Sequence, residues 1–164
     1  MKSILVLLFA LTSLTVFAQT PTSQTPAPAP PYGEPISLEN AEKVLHAAQT
    51  FAIGKQWTVV IAIVDVGGNL VALEKIDNTQ IASIQVAIEK AKTANNFKRP
   101  TKALEDAVAG GGTGLRVLSL PGATPIDGGE PIILNGKIIG AIGVSGMSAT
   151  QDDEVAKAGL AVLK

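Results

Sequence analysis

The chain has 164 residues with 13 basic and 14 acidic side chains, a formal net charge of −1. No basic stripe runs along it, so it lacks the electrostatic footprint of a nucleic-acid binder. With no cysteine and a single histidine, it has neither disulfides nor the usual ligand sets for zinc.

Lys2 is followed by the apolar run Ile4–Leu14, and Val16-Phe17-Ala18 matches the small-residue pattern that a signal peptidase reads. Thr12, Ser13 and Thr15 interrupt the run, which falls short of the roughly 18 apolar residues of a membrane anchor. Residues 1–18 are therefore expected to be a signal peptide cleaved after Ala18. That places the mature protein in the periplasm or outside the cell, with no membrane span after cleavage. Residues 19–36, rich in Pro, Thr, Ser and Gln, have nothing to form a core and are expected to be a disordered linker. Residues 37–164 fit one domain.

Within that domain Ser37 is placed to cap a helix from Leu38 to about Ile53. Leu38, Ala41, Val44, Leu45, Ala48, Phe51 and Ala52 form its apolar face, and Gly54 is placed to end it. The β-branched run Thr58–Val64 reads as a strand covered on both sides. Gly67-Gly68-Asn69 supplies a tight turn, and Leu70–Lys75 returns as a second strand. A second helix is expected from Ile81 to about Asn96, halted by Pro100, and Thr101 can cap a short helix, Lys102–Ala109. Gly110–Gly114 is expected to be a mobile joint, and Leu115–Leu120 a third strand. Ile132–Leu134 and Lys137–Val144, joined by Asn135-Gly136, form the clearest hairpin. A last helix, capped by Ser148 or Thr150, is expected to end near Leu163, with Asp152, Asp153 and Glu154 in its first turn. Helices alternating with antiparallel hairpins point to an α+β domain of α/β/α layers.

Several catalytic patterns do not fit. Gly143-Val-Ser-Gly146 lacks the final glycine of a nucleophile elbow, and His46 lies far away on the first helix. The Gly110–Gly114 run lacks the Gly-Lys-Ser/Thr ending of a P-loop. Nothing supplies a clear acid–base pair, so the residues favour a binding protein over an enzyme.

The order of three blocks carries a family signal. They are Ile61–Leu73 with its Gly67-Gly68 turn, Glu89–Ala94 followed by Arg99-Pro-Thr-Lys102, and Gly128–Gly146 followed by Gln151–Glu154. Together they resemble the GlcG/HbpS family of haem-binding proteins, which is related to the C-terminal part of PduO-type adenosyltransferases. The resemblance runs from about Ser37 to Lys164. It implies a profilin-like, GlcG-type fold with a five-stranded antiparallel sheet, a homo-oligomer, and a small-molecule ligand, haem or a small organic acid. The expected function is an exported haem-binding protein that scavenges or senses haem. The alternatives are a haem-degrading or small-acid-metabolism enzyme, or a non-catalytic oligomeric structural module.

Haem needs an apolar slot, partners for two propionates and, optionally, an axial ligand. Phe97, Arg99, Thr101 and Lys102 combine an aromatic ring, cations and a hydroxyl at a helix start, a grouping able to grip carboxylates. The resemblance implies a threonine at the haem iron, and Thr101 is the hydroxyl in the matching block; as a plain helix cap it would need no ligand. His46 shares the polar face of its helix and would face water in a single chain, or enter an interface as haem ligand in an oligomer. Glu39 and Glu42 put two carboxylates on one helix face. The resemblance implies iron there only weakly, since acids at a helix start also serve the helix dipole.

Overall fold

The computed structural model describes residues 28–163. The expected signal peptide and the first half of the linker, residues 19–27, lie outside the described residues. The elements are α1 (Leu38–Gly54), β1 (Val60–Asp65), β2 (Leu70–Lys75), α2 (Ser83–Phe97), α3 (Thr101–Ala109), a 3₁₀ helix (Gly112–Ser119), β3 (Gly129–Leu134), β4 (Lys137–Ser145) and α4 (Ala149–Leu160). The four strands form one antiparallel sheet in the order β2-β1-β4-β3.

Strand alternation divides the core into two faces. Val59, Ile61 and Ile63 of the first strand region join Ile142 and Val144 of β4 against Val44, Leu45 and Ala48 of α1 and Val155 of α4. Val60, Ala62 and Val64 point the other way, onto Ala87, Ala91 and Ala94 of α2. Small residues bring α2 very close to the sheet: a Cβ on Gly143 would collide with the Ala87 carbonyl oxygen and the Ala91 amide nitrogen. Helices thus cover both faces of the sheet, as the α+β pattern predicts.

The hairpins follow their turn chemistry. Asn135 and Gly136 both take positive φ, 50° and 73°, the geometry of the two-residue turn that matches strand twist. In the first hairpin the Asp65 carboxylate accepts from the Gly67 and Asn69 amides at 2.8 and 2.9 Å. Ser37 caps α1 by accepting from the Asn40 amide at 3.3 Å, and Ser148 with Gln151 forms a capping box on α4.

Four expectations need correction. The sheet has four strands, not five: Gly112–Ser119, which contains most of the expected third strand, is a 3₁₀ helix. Gly111 and Gly112 take φ of 67° and 55° in succession and redirect the chain. Leu115 and Leu118, three residues apart, then share one face of a three-residue turn. Thr101 does not cap α3; Pro100 holds that position without a side-chain cap bond, because the threonine hydroxyl turns inward. The last helix stops at Leu160, before the expected Leu163. Finally, the end of the expected linker is ordered. The Ile138 amide donates to the Pro31 carbonyl at 2.9 Å, Gly33 donates to Ile138 at 2.7 Å, and Ile36 to Ile139 at 2.8 Å. The cause is geometric: β1 ends with Asp65 opposite Gly140, so the first residues of β4 have a free edge that residues 31–36 fill. Ile36 enters the core.

Candidate functional site

The segment joining α2 to α3 carries most of the residues picked from sequence. Lys98 takes a left-handed φ of 54° at the end of α2 and turns the chain sharply through Arg99 to Pro100. Phe97 is half-buried; Arg99 and Lys102 are exposed. Arg99 Nε donates to the Phe97 carbonyl at 3.0 Å. Lys102 is paired with Asp106 one turn along α3, which raises its pKa. Thr101 is fully buried. Its hydroxyl accepts from the Gly129 amide at 2.9 Å and donates to the Gly129 carbonyl at 3.4 Å. That hydroxyl ties the start of α3 to the start of β3, and a Cβ on Gly129 would lie 2.6 Å from Thr101 Cγ2.

Beneath this segment lies an apolar groove of about 280 Å³, lined by Pro100, Glu130, Pro131, Ile132, Ile133, Leu160 and Leu163. The prolines hold the walls in fixed backbone shapes. Pro131 also leaves the edge strand without an amide donor at that position. A second concavity, about 390 Å³, sits at the β3–β4 turn between Tyr32, Glu34, Asn135 and Lys137; none of the residues picked from sequence lines it.

Glu130, one of the residues lining the groove, belongs to a largely buried polar cluster that sequence reasoning missed. Glu130 and Asp153 are 7% and 8% exposed. Lys157 Nζ lies 2.6 Å from Asp153 Oδ2 and 3.8 Å from Glu130 Oε1. Asp153 Oδ1 is buried with no partner. Burial, and then the neighbouring Asp153, push the Glu130 carboxyl up to about 8. Burial likewise raises Asp127, whose amide donates to Glu105 Oε2 at 2.6 Å. Deeper in, Lys90, 1% exposed, donates to Asp152 Oδ2 and to the Val144 carbonyl, both at 2.9 Å. Burial pushes the Asp152 carboxyl up, and the Lys90 ammonium opposes it. Gly128 admits this pair: a Cβ there would stand 3.0 Å from Lys90 Nζ and 2.8 Å from Asp152 Cβ. The signal for Lys90 was its spacing, since it falls three residues after Ala87 and four before Ala94 on the buried face of α2. Asp152 and Asp153 were read as acids serving the helix dipole, which hid their burial.

The other residues picked from sequence lie apart from the groove segment. His46 is on α1, its side chain 63% exposed, with Nε2 3.9 Å from Glu74 Oε1 of β2. Glu39 is exposed and paired with Lys43 at 2.7 Å, which lowers its pKa; Glu42 is exposed. Among the described residues no group of three or more His, Cys, Asp or Glu side chains is arranged to hold a metal ion. No helix among them is long and apolar enough to cross a membrane.

Residues 36–161 match the family model described as "Haem degrading protein HbpS-like". The chain belongs to the HbpS-like family. Protein GlcG of Escherichia coli K12 is 40% identical over 110 residues, covering 67% of this chain and 81% of GlcG. The crystal structure of HbpS superposes with a TM-score of 0.73 at 30% identity, covering 90% of this chain and 99% of that one. PduOC in complex with haem gives 0.72 at 29% identity, covering 79% of this chain and 96% of PduOC. The likeness to the full corrinoid adenosyltransferase PduO of Citrobacter freundii, 30% identical, spans 39% of that protein.

Proposed function

We propose that this chain is an exported haem-binding protein whose ligand enters the groove beneath Pro100. The observation that carries the haem reading is the likeness, over nearly the whole of PduOC, to a structure solved with haem. The groove supports it locally. Pro131, Ile133, Leu160 and Leu163 offer an apolar wall, and Arg99 and Lys102 stand in exposed positions on either side of Pro100 and Thr101, where propionates need cations. At about 280 Å³ the groove is below the roughly 300–1,000 Å³ of ordinary small-molecule sites. A haem held there is gripped along one edge, and a second copy of the chain supplies the facing wall. His46 is the competing ligand, placed for an interface on α1. The export signal at residues 1–18 favours haem scavenging or sensing outside the cytoplasm.

The test is a haemin titration of the purified protein followed through the Soret band. The expected result is a saturable shift. Arg99→Ala should weaken binding about tenfold, the worth of one partly desolvated charge-assisted hydrogen bond. Lys102→Ala should do less, because Asp106 already holds that ammonium. If His46→Ala abolishes the ligand-field bands while Arg99→Ala binds like wild type, the haem sits on α1 and the groove assignment is wrong. Bleaching of the Soret band with reductant and release of iron would instead establish a haem-degrading enzyme.

A further inference from the structure

An acid in the lining is an odd feature of a site that takes an anionic ligand. Glu130 of β3 is faced by Asp153 and Lys157 of α4 and by Asp127 of the preceding loop. Glu105 and Lys102 of α3 act on Asp127, and Asp152, paired with Lys90 of α2, lies behind. Lys102 is engaged by Asp106 and Lys90 by Asp152. Among the described residues Lys157 is therefore the cation that bridges Glu130 and Asp153. It contacts Asp153 Oδ2 closely and leaves Asp153 Oδ1 buried without a donor. An orphaned carboxylate oxygen in a desolvated site is costly. Both carboxylates also lie close to the same ammonium, so their like charges oppose each other. A proton on Glu130 satisfies both conditions: it supplies the donor and removes one of two like charges from a poorly solvated pair.

We propose that Glu130 holds a proton that it donates to Asp153 Oδ1 and that this proton sets the charge of the groove. An apolar ligand carrying carboxylates enters while Glu130 is protonated and is repelled once Glu130 is ionised. The ligand's identity rests on the haem reading above; the proton on Glu130 does not. Ionisation adds one negative charge directly to the groove wall, because Glu130 is itself a lining residue. Glu130→Gln keeps the donor and the shape but cannot ionise, so it freezes the groove in its accepting state.

The experiment has two readouts. The first is the ratio of haemin Kd between wild type and Glu130→Gln at pH 6, 7, 8 and 9; haemin's own titration affects both proteins alike and cancels in the ratio. The expected ratio is near 1 at pH 6, with wild type weakened about tenfold relative to the variant by pH 9. The second is carbon-13 NMR of the glutamate side-chain carboxyls in ligand-free protein. The resonance absent from the Glu130→Gln spectrum should titrate well above the ordinary glutamate range. Titration of that resonance in the ordinary range overturns the proton on Glu130. Raised titration with a pH-independent ratio overturns the groove as the ligand's seat. If neither protein binds haemin at any pH, the haem reading and the ligand half of the proposal fall together, and the carboxyl titration alone decides the proton on Glu130.

Discussion

At the scale of single residues, burial changes what a side chain does. Thr101 reads from sequence as a hydroxyl at a helix start, free to cap the helix or meet a ligand, yet it is buried and bonded at both ends of Gly129. Sequence marked the position and not the direction of the side chain, because direction depends on β3, which is 28 residues away. Glu130 escaped notice altogether, since one acid beside a proline reads as an edge-strand residue. Its burial makes stability depend on pH. Folding raises this carboxyl from 4.5 to about 8, so between those values the folded chain keeps a proton that the unfolded chain has released. The group's favourable contribution is full below about pH 4.5, declines as pH rises, and is gone above about pH 8. Glu130→Gln should therefore match wild type in urea denaturation at pH 5. At pH 9 it should be more stable, by about 1–2 kcal/mol once solvent screening at the groove is allowed for. Denaturation midpoints that differ by the same amount at both pH values would show that the glutamate does not titrate in this way.

At the scale of elements, the sequence was most legible where local and tertiary preferences agree. The Asn135-Gly136 hairpin, the Ser37 and Ser148 caps and the apolar face of α1 from Ala41 to Ala52 stand where spacing and turn chemistry put them, while Leu38, expected on that face, is exposed. The segment Leu115–Leu120 was not legible as a 3₁₀ helix. Its apolar residues fit a two-residue period as well as a three-residue one, and the two positive φ values at Gly111 and Gly112 are visible only in three dimensions. Glycines likewise divide by environment. Gly54, expected to terminate α1, is instead its last helical residue, the cap falling on Lys55, and an added Cβ would meet nothing within 4 Å, so Gly54→Ala should stabilise the protein by about 0.5–1 kcal/mol through helix propensity. Gly143 is the opposite case: α2 rests its backbone on it. Gly143→Val should separate α2 from β4 and destabilise by about 1–3 kcal/mol or more. Equal urea midpoints for the two variants would refute this account of how α2 is seated.

At the scale of the whole molecule, the surface argues for a partner of the same kind. Ile81 is 86% exposed, Leu118 64%, and Leu38 and Ile53 57% each. Scattered apolar residues are ordinary on a surface, but these large aliphatics lie just before α2, on the 3₁₀ helix and at both ends of α1. The chain has no cysteine, so it has no disulfides to draw on, and pairing apolar surface between copies would add stability. We therefore expect a homo-oligomer, most simply one with closed symmetry that covers the same patch on every copy. Light scattering at micromolar concentration should give a mass above that of one chain. Mass action provides an independent check: the melting temperature of an oligomer that dissociates on unfolding rises with protein concentration. Ile81→Asp and Leu118→Asp, each placing a charge where apolar surface would be paired, should lower the mass and abolish that concentration dependence at the interface each belongs to. A single-chain mass together with a melting temperature constant over a hundredfold range of concentration would mean that these side chains simply face water. The facing wall for haem would then have to come from the chain itself.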